Sequence, residues 1–369
     1  MSDQGGKNSP GPRGGWLPRQ LRRRPRPAWM VALAHLLALG VALVLYALPH
    51  HVLPSRQQAT GIVSTRESIR QTAAPEPSAE AIEYDDEGDP IVPDTGPTPE
   101  PTPEPVGSFR NKFADKFTDG EVIRTDNTYQ SANLNITFQK KYFDELMSRV
   151  YYADIYIADI SCLKTVLAED TFGRGYKEWI TKAARRMGSV VTMNGDYYGS
   201  RDFGVVVRNG ILYRDAKNIR DVAVLYWDGS FETIPPERFD AKQIMTEGAY
   251  QCWHFGPRLL DDAGHAMTEF NADSHMKKRH PRSAFGYFEP GHYCFVVVDG
   301  RQKHSAGIKI PNLAKIFEEL GCVSAYNLDG GGSAVMMFDH KTYSKQSNGA
   351  DRKLGDLLVI RDSYYGAEE

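Results

Sequence analysis

An uninterrupted apolar segment from Ala28 to Leu48 limits how the first part of this chain can fold. Its 21 residues carry no formal charge. A helix of this length, at about 1.5 Å of rise per residue, spans the roughly 30 Å hydrocarbon core of a bilayer. The residues before it contain one acid, Asp3, and the bases Lys7, Arg13, Arg19, Arg22, Arg23, Arg24 and Arg26. Because positive flanks stay in the cytoplasm, we expect the N-terminus inside and the chain after Leu48 outside.

A cleaved signal peptide is the alternative interpretation of this segment. The apolar part of a signal peptide usually has about 7–15 residues and is followed by a small-x-small cleavage site. Here the apolar run is longer, and Pro-His-His-Val-Leu-Pro follows it. We therefore expect a basic cytoplasmic tail over residues 1–27 and one uncleaved transmembrane helix over residues 28–48, which anchors a single-pass protein in the cell membrane.

Residues 49–107 have the composition of a linker. Between Pro75 and Pro105 there are nine prolines and ten acids, and no Lys or Arg. The Thr-Pro-Glu-Pro repeat that begins at Thr98 favours polyproline II, and like charges resist collapse. We expect a disordered spacer between the membrane and the rest of the chain; a protease-sensitive tail without a mechanical role fits the same composition.

Residues 108–369 alternate short strands, tight turns and a few helices. Residues 150–158 are rich in aromatic and β-branched residues, which predicts a buried strand. Residues 176–187 have helical spacing and end at a glycine, and a second helix starts at Pro311. Asn-Gly at 209–210 and Asp-Gly at 228–229 predict hairpins with type I′ turns. We predict the α+β class: a single mixed α/β domain with a mostly antiparallel sheet and several helices.

Charge and cysteine content exclude some functions. The chain has 44 Lys and Arg against 47 Asp and Glu, and this near balance argues against a nucleic-acid partner. It contains no GxSxG, HExxH or Walker A motif, so serine hydrolases and zinc proteases find no support. The four cysteines form no CxxC pair; outside the cell they permit up to two disulfides, and buried free thiols are equally ordinary.

The most informative local motif is Asn-Leu-Asp-Gly-Gly-Gly-Ser at 327–333. Three consecutive glycines between two strand-like segments cost backbone entropy and add nothing to packing. Such a run suits a loop whose backbone N–H groups approach an anionic ligand, with Asp329 at its entrance and Ser333 at its exit. A flexible loop of small residues is the alternative.

Polar residues follow other predicted strands in the same way. In Asn-Gly-Asp-Tyr-Tyr-Gly at 194–199, Asn194 offers an amide and Asp196 a carboxylate, although an ordinary turn gives the same pattern. Arg282 leads into an apolar strand, where a guanidinium usually needs an anionic partner; a solvated strand end is the alternative. His254 lies in a turn-like His-Phe-Gly-Pro, and Asn348 in a polar loop.

Together these loops offer Asp196 and Asp329 as carboxylates, Arg282 as a fixed cation and a glycine-lined cradle for an anion. Two carboxylic acids suit cleavage at an anomeric carbon, and phosphate is a good leaving group whose charge such a cradle would hold. We predict Asp196, Asp329 and Arg282 as catalytic residues. The predicted substrate-binding residues are Asn194, Tyr197, Arg201, His254, His280, Gly330, Gly331, Gly332, Ser333 and Asn348.

These motifs resemble the phosphodiester glycosidase family over residues 151–361. The resemblance rests on NGDYYG at 194–199, VVRNG at 206–210, HFGP at 254–257, RSAFGY at 282–287, NLDGGGSA at 327–334 and the loop near Asn348. It implies as site residues Asn194, Arg282, Asp329, Gly330, Gly331, Gly332 and Ser333. This chain departs at Asp196, where an animal member is closer to Asn-Gly-Gly; the carboxylate either adds a catalytic acid or marks a subgroup with another substrate.

The resemblance implies an extracytoplasmic glycosidase that hydrolyses sugar-1-phosphodiester linkages in cell-envelope glycopolymers or exopolysaccharide. The partner would be a carbohydrate or glycopolymer phosphodiester. The alternative is a non-catalytic glycan-binding module that assists exopolysaccharide or cell-wall assembly. Asp196, Asp202 and Asp329 are of the type that binds Ca²⁺ or Mg²⁺, but their spacing is not diagnostic. Nothing in the sequence indicates an oligomeric state.

Overall fold

The computed structural model describes residues 27–48, 53–67, 69, 104–347, 349 and 351–362. The chain divides into two units, Met1–Leu53 and Pro54–Glu369, and each is described by itself. Asn348, predicted to bind substrate, lies outside the described residues, as do nearly all of the predicted basic tail and residues 71–103 of the predicted spacer.

In the first unit, helix α1 covers Ala28–Ala47 and buries none of its residues. It is long and apolar enough to cross a membrane, a criterion that a signal sequence near the N-terminus also meets. The helix therefore agrees with the predicted span to within one residue.

In the second unit, the described residues form three α-helices and 21 strands. The helices are α2 (Ile180–Arg186), α3 (Ala241–Thr246) and α4 (Ile310–Glu319). The strands in chain order are β1 (Ser55–Arg56), β2 (Ile123–Arg124), β3 (Thr128–Gln130), β4 (Leu134–Phe143), β5 (Ser148–Ile157), β6 (Leu163–Leu167), β7 (Gly173–Arg174), β8 (Glu178–Trp179), β9 (Ser189–Asn194), β10 (Val206–Arg208), β11 (Ile211–Arg214), β12 (Val222–Tyr226), β13 (Phe231–Ile234), β14 (Ala249–Trp253), β15 (Arg282–Glu289), β16 (His292–Val298), β17 (Ser324–Asn327), β18 (Met336–Phe338), β19 (Lys341–Thr342), β20 (Lys353–Leu354) and β21 (Asp356–Arg361).

The strands assemble into three large sheets and two two-stranded ribbons, and neighbouring strands run antiparallel throughout. The seven-stranded sheet has the order β17-β15-β16-β5-β4-β3-β2, and the five-stranded sheets have the orders β19-β18-β9-β21-β6 and β11-β10-β14-β12-β13. One core cluster takes side chains from all three sheets, among them Met193, Trp253 and Phe285. The shared core fixes the strand ends relative to one another, and the predicted fold class is confirmed.

The turns show how local sequence sets these hairpins. Asn209 and Gly210 have φ values of 52° and 81°, as the predicted type I′ turn requires. At the second hairpin only Gly229 has a positive φ, so the type I′ prediction there was wrong. The Asp228 carboxylate accepts hydrogen bonds from the N–H and hydroxyl of Ser230, which stabilises a different turn.

Helix α2 starts later than predicted. Glu178 and Trp179, inside the predicted helix, pair instead with Leu354 and Lys353 of β20. The Glu178 carboxylate is buried and bonds Arg186 at 2.7 Å, which ties the strand to the end of α2. Tertiary pairing here overrides the helical spacing of the sequence.

A part of the predicted spacer belongs to the folded unit. Strand β1 pairs with β7, and Gly173 of β7 admits it because a side chain there would place Cβ 2.2 Å from the carbonyl oxygen of Ser55. Further along, the Ser64 hydroxyl donates to the carbonyl oxygen of Ala249. We expected residues 49–107 as a whole to be a linker; the segment docks through backbone pairing, which needs no apolar composition.

Arg66 closes this segment onto the folded unit. Its guanidinium donates to both carboxylate oxygens of Asp159, at 2.8 and 2.5 Å, and to the carbonyl oxygen of Val106 at 3.2 Å. Residues 66 and 106 therefore lie side by side. The Pro- and Glu-rich stretch joins two points of one folded unit, instead of separating that unit from α1 as the spacer model expected.

All four cysteines are buried thiols. The sulfurs of Cys294 and Cys322 lie 3.8 Å apart, in contact but beyond the roughly 2 Å of a disulfide bond.

Candidate active site

Strand ends from two sheets meet at one place on the second unit. Strand β9 ends at Asn194, next to the start of β21 at Asp356, and Leu357 of β21 pairs with Asn194. In the seven-stranded sheet β17 ends at Asn327, just before Asp329, beside the start of β15. Polar residues that leave the core at these ends therefore face a common region.

Asn194 joins the two sheets. Its amide nitrogen donates to the carbonyl oxygen of Asp329 at 2.6 Å. Its amide oxygen accepts from the Ser283 hydroxyl at 2.7 Å and from the Val335 N–H at 3.1 Å. The predicted convergence of the 194, 282 and 329 segments is thus present, and Asn194 holds them together.

Two adjoining clefts open at this junction. The first cleft is lined by residues that include Tyr176, Lys177, Asn194, Asp196, Ser333, Arg352 and Asp356. The second cleft is lined by residues that include Arg220, Phe255, His275, His280, Arg282, Arg301, Gly330 and Gly331. Asp329 and Tyr197 line both clefts, and the Tyr197 side chain is 47% exposed at the boundary between them.

Asp329 is a carboxyl group that lines both clefts. Its N–H donates to the carbonyl oxygen of Gly195 at 3.2 Å, and its carboxylate accepts from the Gly330 N–H at 2.9 Å. Burial raises the pKa of Asp329 to about 6, against the opposing effect of Ser333 and Gly330. A carboxyl with this pKa is present in both protonation states near neutral pH, as general acid–base catalysis requires.

Asp196 has very different surroundings. Its carboxylate is buried against Arg201 at 2.5 Å and accepts the backbone N–H of His254 at 3.0 Å. Burial alone would raise the pKa of Asp196, but the charges of Arg201 and Arg208 outweigh it and hold the pKa below its usual range. Asp196 therefore stays ionised, and the geometry argues against its predicted role as a catalytic acid.

Asp356 is a site residue that the sequence motifs did not reveal. It is buried, and Arg208 bonds its Oδ2 at 2.6 Å while also lying 3.8 Å from Asp196. Burial raises the pKa of Asp356 above its usual range; Arg208 opposes the shift and the charge of Asp196 adds to it. When two carboxylates share one guanidinium, one of them takes up a proton more easily.

The signal that would have found Asp356 was available in the sequence. Asp356 is the first residue of the apolar last strand, in Gly-Asp-Leu-Leu-Val. Like Asp329, which follows an earlier strand, it is an acid at the end of an apolar strand. Its backbone carbonyl accepts the Gly195 N–H at 3.1 Å. Asp329 and Asp356 therefore flank the backbone of Gly195, one bonded to its carbonyl oxygen and the other to its N–H.

Arg282 has no carboxylate partner among the described residues. Its buried guanidinium donates to the carbonyl oxygens of Met276 at 2.5 Å, Lys278 at 2.8 Å and Ile308 at 3.3 Å. Burial and the neighbouring charge of Arg301 lower the pKa of Arg282 to about 10. It lines the second cleft while it holds the loop that carries His280.

The glycine run is less open than a free anion cradle. The N–H groups of Gly330, Gly331 and Ser333 already donate to Asp329 Oδ1, Pro281 O and Gly330 O. Gly332 lines neither cleft. The glycines instead allow close packing: a Cβ on Gly330 would lie 2.6 Å from the Pro281 carbonyl oxygen, and Gly331 has a φ of 61°.

His254 and Arg201 lie behind the clefts and line neither of them. The His254 Nε2 accepts the backbone N–H groups of Ile219 and Arg220, so its proton is on Nδ1. Burial, with the charge of Arg201 next, lowers the pKa of His254 to about 4 and keeps the ring neutral. This geometry does not support the predicted direct contact of His254 and Arg201 with substrate.

The described residues contain no group of three or more His, Cys, Asp and Glu side chains arranged to hold a metal ion. Asp202, named above as a possible cation ligand, is exposed, whereas Asp196 is taken up by arginines.

Comparison with known proteins links part of this chain to one family. Residues 187–361 match the model of the phosphodiester glycosidase family. An uncharacterized SPbeta prophage-derived protein, YomE of Bacillus subtilis strain 168, is 29% identical over 195 residues, which are 51% of this chain and 30% of that protein. The chain thus spans less than a third of this relative's length.

The fold is also similar to a solved structure. The catalytic domain of zebrafish N-acetylglucosamine-1-phosphodiester alpha-N-acetylglucosaminidase, auto-inhibited by its pro-peptide, superposes with a TM-score of 0.50 at 19% identity. The match covers 67% of this chain and 86% of that one. The resemblance predicted from the motifs is confirmed over residues 187–361, and the likeness to the solved structure is one of fold.

Proposed function

We propose that this chain, whose residues 187–361 match the phosphodiester glycosidase family, is a glycosidase that hydrolyses sugar-1-phosphodiester linkages of the cell envelope. The observation that carries the proposal is Asp329: a carboxyl with a pKa of about 6 at the junction of two clefts, held in place by Asn194 and Gly195. The solved fold relative is named for the same reaction on N-acetylglucosamine.

The reaction breaks the bond between the anomeric carbon and the phosphate oxygen. The electron pair leaves with that oxygen, a water oxygen bonds to the anomeric carbon, and the water proton is taken up by a base. We assign this proton transfer to Asp329, because its side chain lines both clefts and would contact a substrate in either of them. The products are a free sugar and a phosphate monoester.

Asp196 and Asp356 support this carboxyl from behind. Both bind Arg208, and together they hold the end of β9 against the start of β21. Arg282 supports the other side by bonding three carbonyl groups. We propose these three as positioning residues.

For location, we propose that α1 is an uncleaved anchor with the basic N-terminal residues in the cytoplasm and the second unit outside. The apolar length of the helix and the basic residues before it support this orientation. The substrates would then be envelope glycopolymers or exopolysaccharide.

The test is turnover by the full chain in detergent on N-acetylglucosamine 1-phosphodiester and related sugar-1-phosphodiesters. We expect release of free reducing sugar, and a fall in kcat of about 10²–10⁴-fold in Asp329→Asn, the usual contribution of a general acid or base. Asp202→Asn, an exposed acid near the same loop, is the matched control and should keep full turnover.

Tight binding of wall polymer without any release of sugar or phosphate monoester would favour the alternative, a glycan-binding module. Full turnover by Asp329→Asn would remove the assignment of this residue while leaving the enzymatic function in place.

A further inference from the structure

The second cleft carries positive charge that the described protein does not neutralise. Arg220 pairs with Asp273 at 2.8 Å. Arg282 and Arg301 have no carboxylate within ion-pair distance among the described residues, although Asp329 lines the same cleft. Like charges gathered on a concave surface repel one another, so the arrangement favours a bound anion.

Arg301 is held over the glycine run by its neighbours. Its guanidinium lies 3.0 Å from the position that a Cβ on Gly331 would occupy, and its Nη2 is 3.1 Å from Nδ1 of His280. The other ring nitrogen of His280 is 2.9 Å from the carbonyl oxygen of His275, which orients the ring. Nδ1 of His280 thus accepts from Arg301 and fixes the guanidinium beside Gly331, in the cleft that Asp329 also lines.

The backbone of Arg301 is strained, and its surroundings maintain the strain. Its φ is 58°, in the left-handed region that non-glycine residues seldom adopt. Gln302 and Ser305 exchange backbone hydrogen bonds just after it, and the Gln302 side chain donates to the carbonyl oxygen of Lys345. Such strain persists where the surrounding structure over-determines a conformation, often at a ligand site.

We propose, on the basis of the proposed function, that the second cleft binds the phosphate of the scissile linkage through Arg301, which His280 orients, while the sugar occupies the first cleft. The phosphate gains negative charge as the bond to the anomeric carbon breaks, and a fixed guanidinium stabilises that charge. Arg301 therefore selects phosphodiesters over neutral glycosides of the same sugar.

The test compares two substrates of the full chain in detergent: an N-acetylglucosamine 1-phosphodiester and the neutral p-nitrophenyl glycoside of the same sugar. For Arg301→Gln we expect kcat/KM to fall by about 10²-fold on the phosphodiester, and by less than about 3-fold on the glycoside. Arg301→Lys should recover part of the loss, because lysine keeps the charge but not the planar fork. Lys303→Gln removes one charge from the same turn and should leave both substrates unaffected.

A binding measurement separates this proposal from the proposed function. Inorganic phosphate should bind the wild-type chain in a calorimetric titration. It should bind the Arg301→Gln chain at least about 10-fold more weakly, and the Lys303→Gln chain with the same affinity as wild type. That result without any turnover would keep the phosphate site and reject the glycosidase. Equal losses on both substrates, or no phosphate binding by the wild type at millimolar concentrations, would overturn the phosphate site.

Discussion

At the scale of single residues, Asp196 and Asp329 are the same amino acid in opposite electrostatic surroundings. Asp196 lies between arginines and a backbone N–H, so its ionised form is favoured. Asp329 accepts the Gly330 N–H but has no arginine within ion-pair distance among the described residues, so burial outweighs its partners and favours its protonated form. This difference is the basis on which we propose proton transfer for Asp329 and a positioning role for Asp196.

These pKa shifts predict stability changes of opposite sign. The folded chain binds a proton at Asp329 between about pH 4 and pH 6 that the unfolded chain has lost, so stability falls as pH rises through this window. Asp329→Asn lacks this loss, and its stability relative to wild type should increase from pH 4 to pH 6 and then stay level. The measurement is the urea midpoint of both chains across this range.

Asp196→Asn provides the contrast. The pKa of Asp196 is lowered, so its stabilising effect is present above about pH 4 and lost as pH falls below that value. At pH 7 the variant leaves Arg201 buried without its partner, and we expect a loss of about 3–5 kcal/mol in the free energy of unfolding. If both variants change stability in the same direction at pH 7, the electrostatic assignment is wrong.

At the scale of elements, the site depends on how closely the end of β9 approaches the start of β21. The contact is possible because residue 195 is a glycine: a Cβ there would lie 2.8 Å from Oδ1 of Asp356 and 3.1 Å from the Leu358 side chain. The Gly195 backbone also bonds both Asp356 and Asp329. One methyl group at this position would move two acids of the site.

We expect Gly195→Ala to lower the free energy of unfolding by about 1–3 kcal/mol, the usual cost of overpacking. We also expect it to reduce kcat under conditions in which the variant remains folded. Gly355→Ala is the matched control, since a Cβ there would lie no closer than 3.8 Å to a neighbouring atom. Thermal melting and kcat of both variants check the prediction. A Gly195→Ala chain with wild-type kcat would show that the approach of the two strands does not matter for the reaction.

At the scale of the whole molecule, the connection between α1 and the second unit is short. Strand β1 begins at Ser55 and pairs with β7, and Arg66 binds Asp159 and Val106. The acidic, proline-rich stretch follows this docked segment in the chain. The length of the acidic stretch therefore does not affect how many residues connect α1 to the folded unit.

This connectivity predicts the outcome of cutting the acidic stretch. With a specific protease site inserted after Asp94, a tag at the C-terminus should still recover the N-terminal fragment under native conditions, because β1 and Arg66 hold it. Arg66→Gln should weaken this recovery, whereas Arg110→Gln, an exposed arginine bonded to Asn133, should not. Separation of the wild-type fragments on cleavage would contradict the docking of residues 54–67.

The sequence by itself determined the apolar helix, the antiparallel character of the domain and the loops that meet at the site. These depend on local physics: apolar length, turn residues such as Asn209 and Gly210, and polar residues at strand ends. The family resemblance followed from the order of those loops, and the model match over residues 187–361 confirmed it.

Only the tertiary structure decided which acid has a raised pKa, that Asp356 lines the first cleft, and that residues 54–67 dock on the fold. The charge state of a carboxyl depends on partners that are distant in sequence, as Arg208 is from Asp356. The docking of β1 uses backbone hydrogen bonds. Every residue except proline has both a backbone donor and a backbone acceptor, so amino-acid composition does not predict such docking.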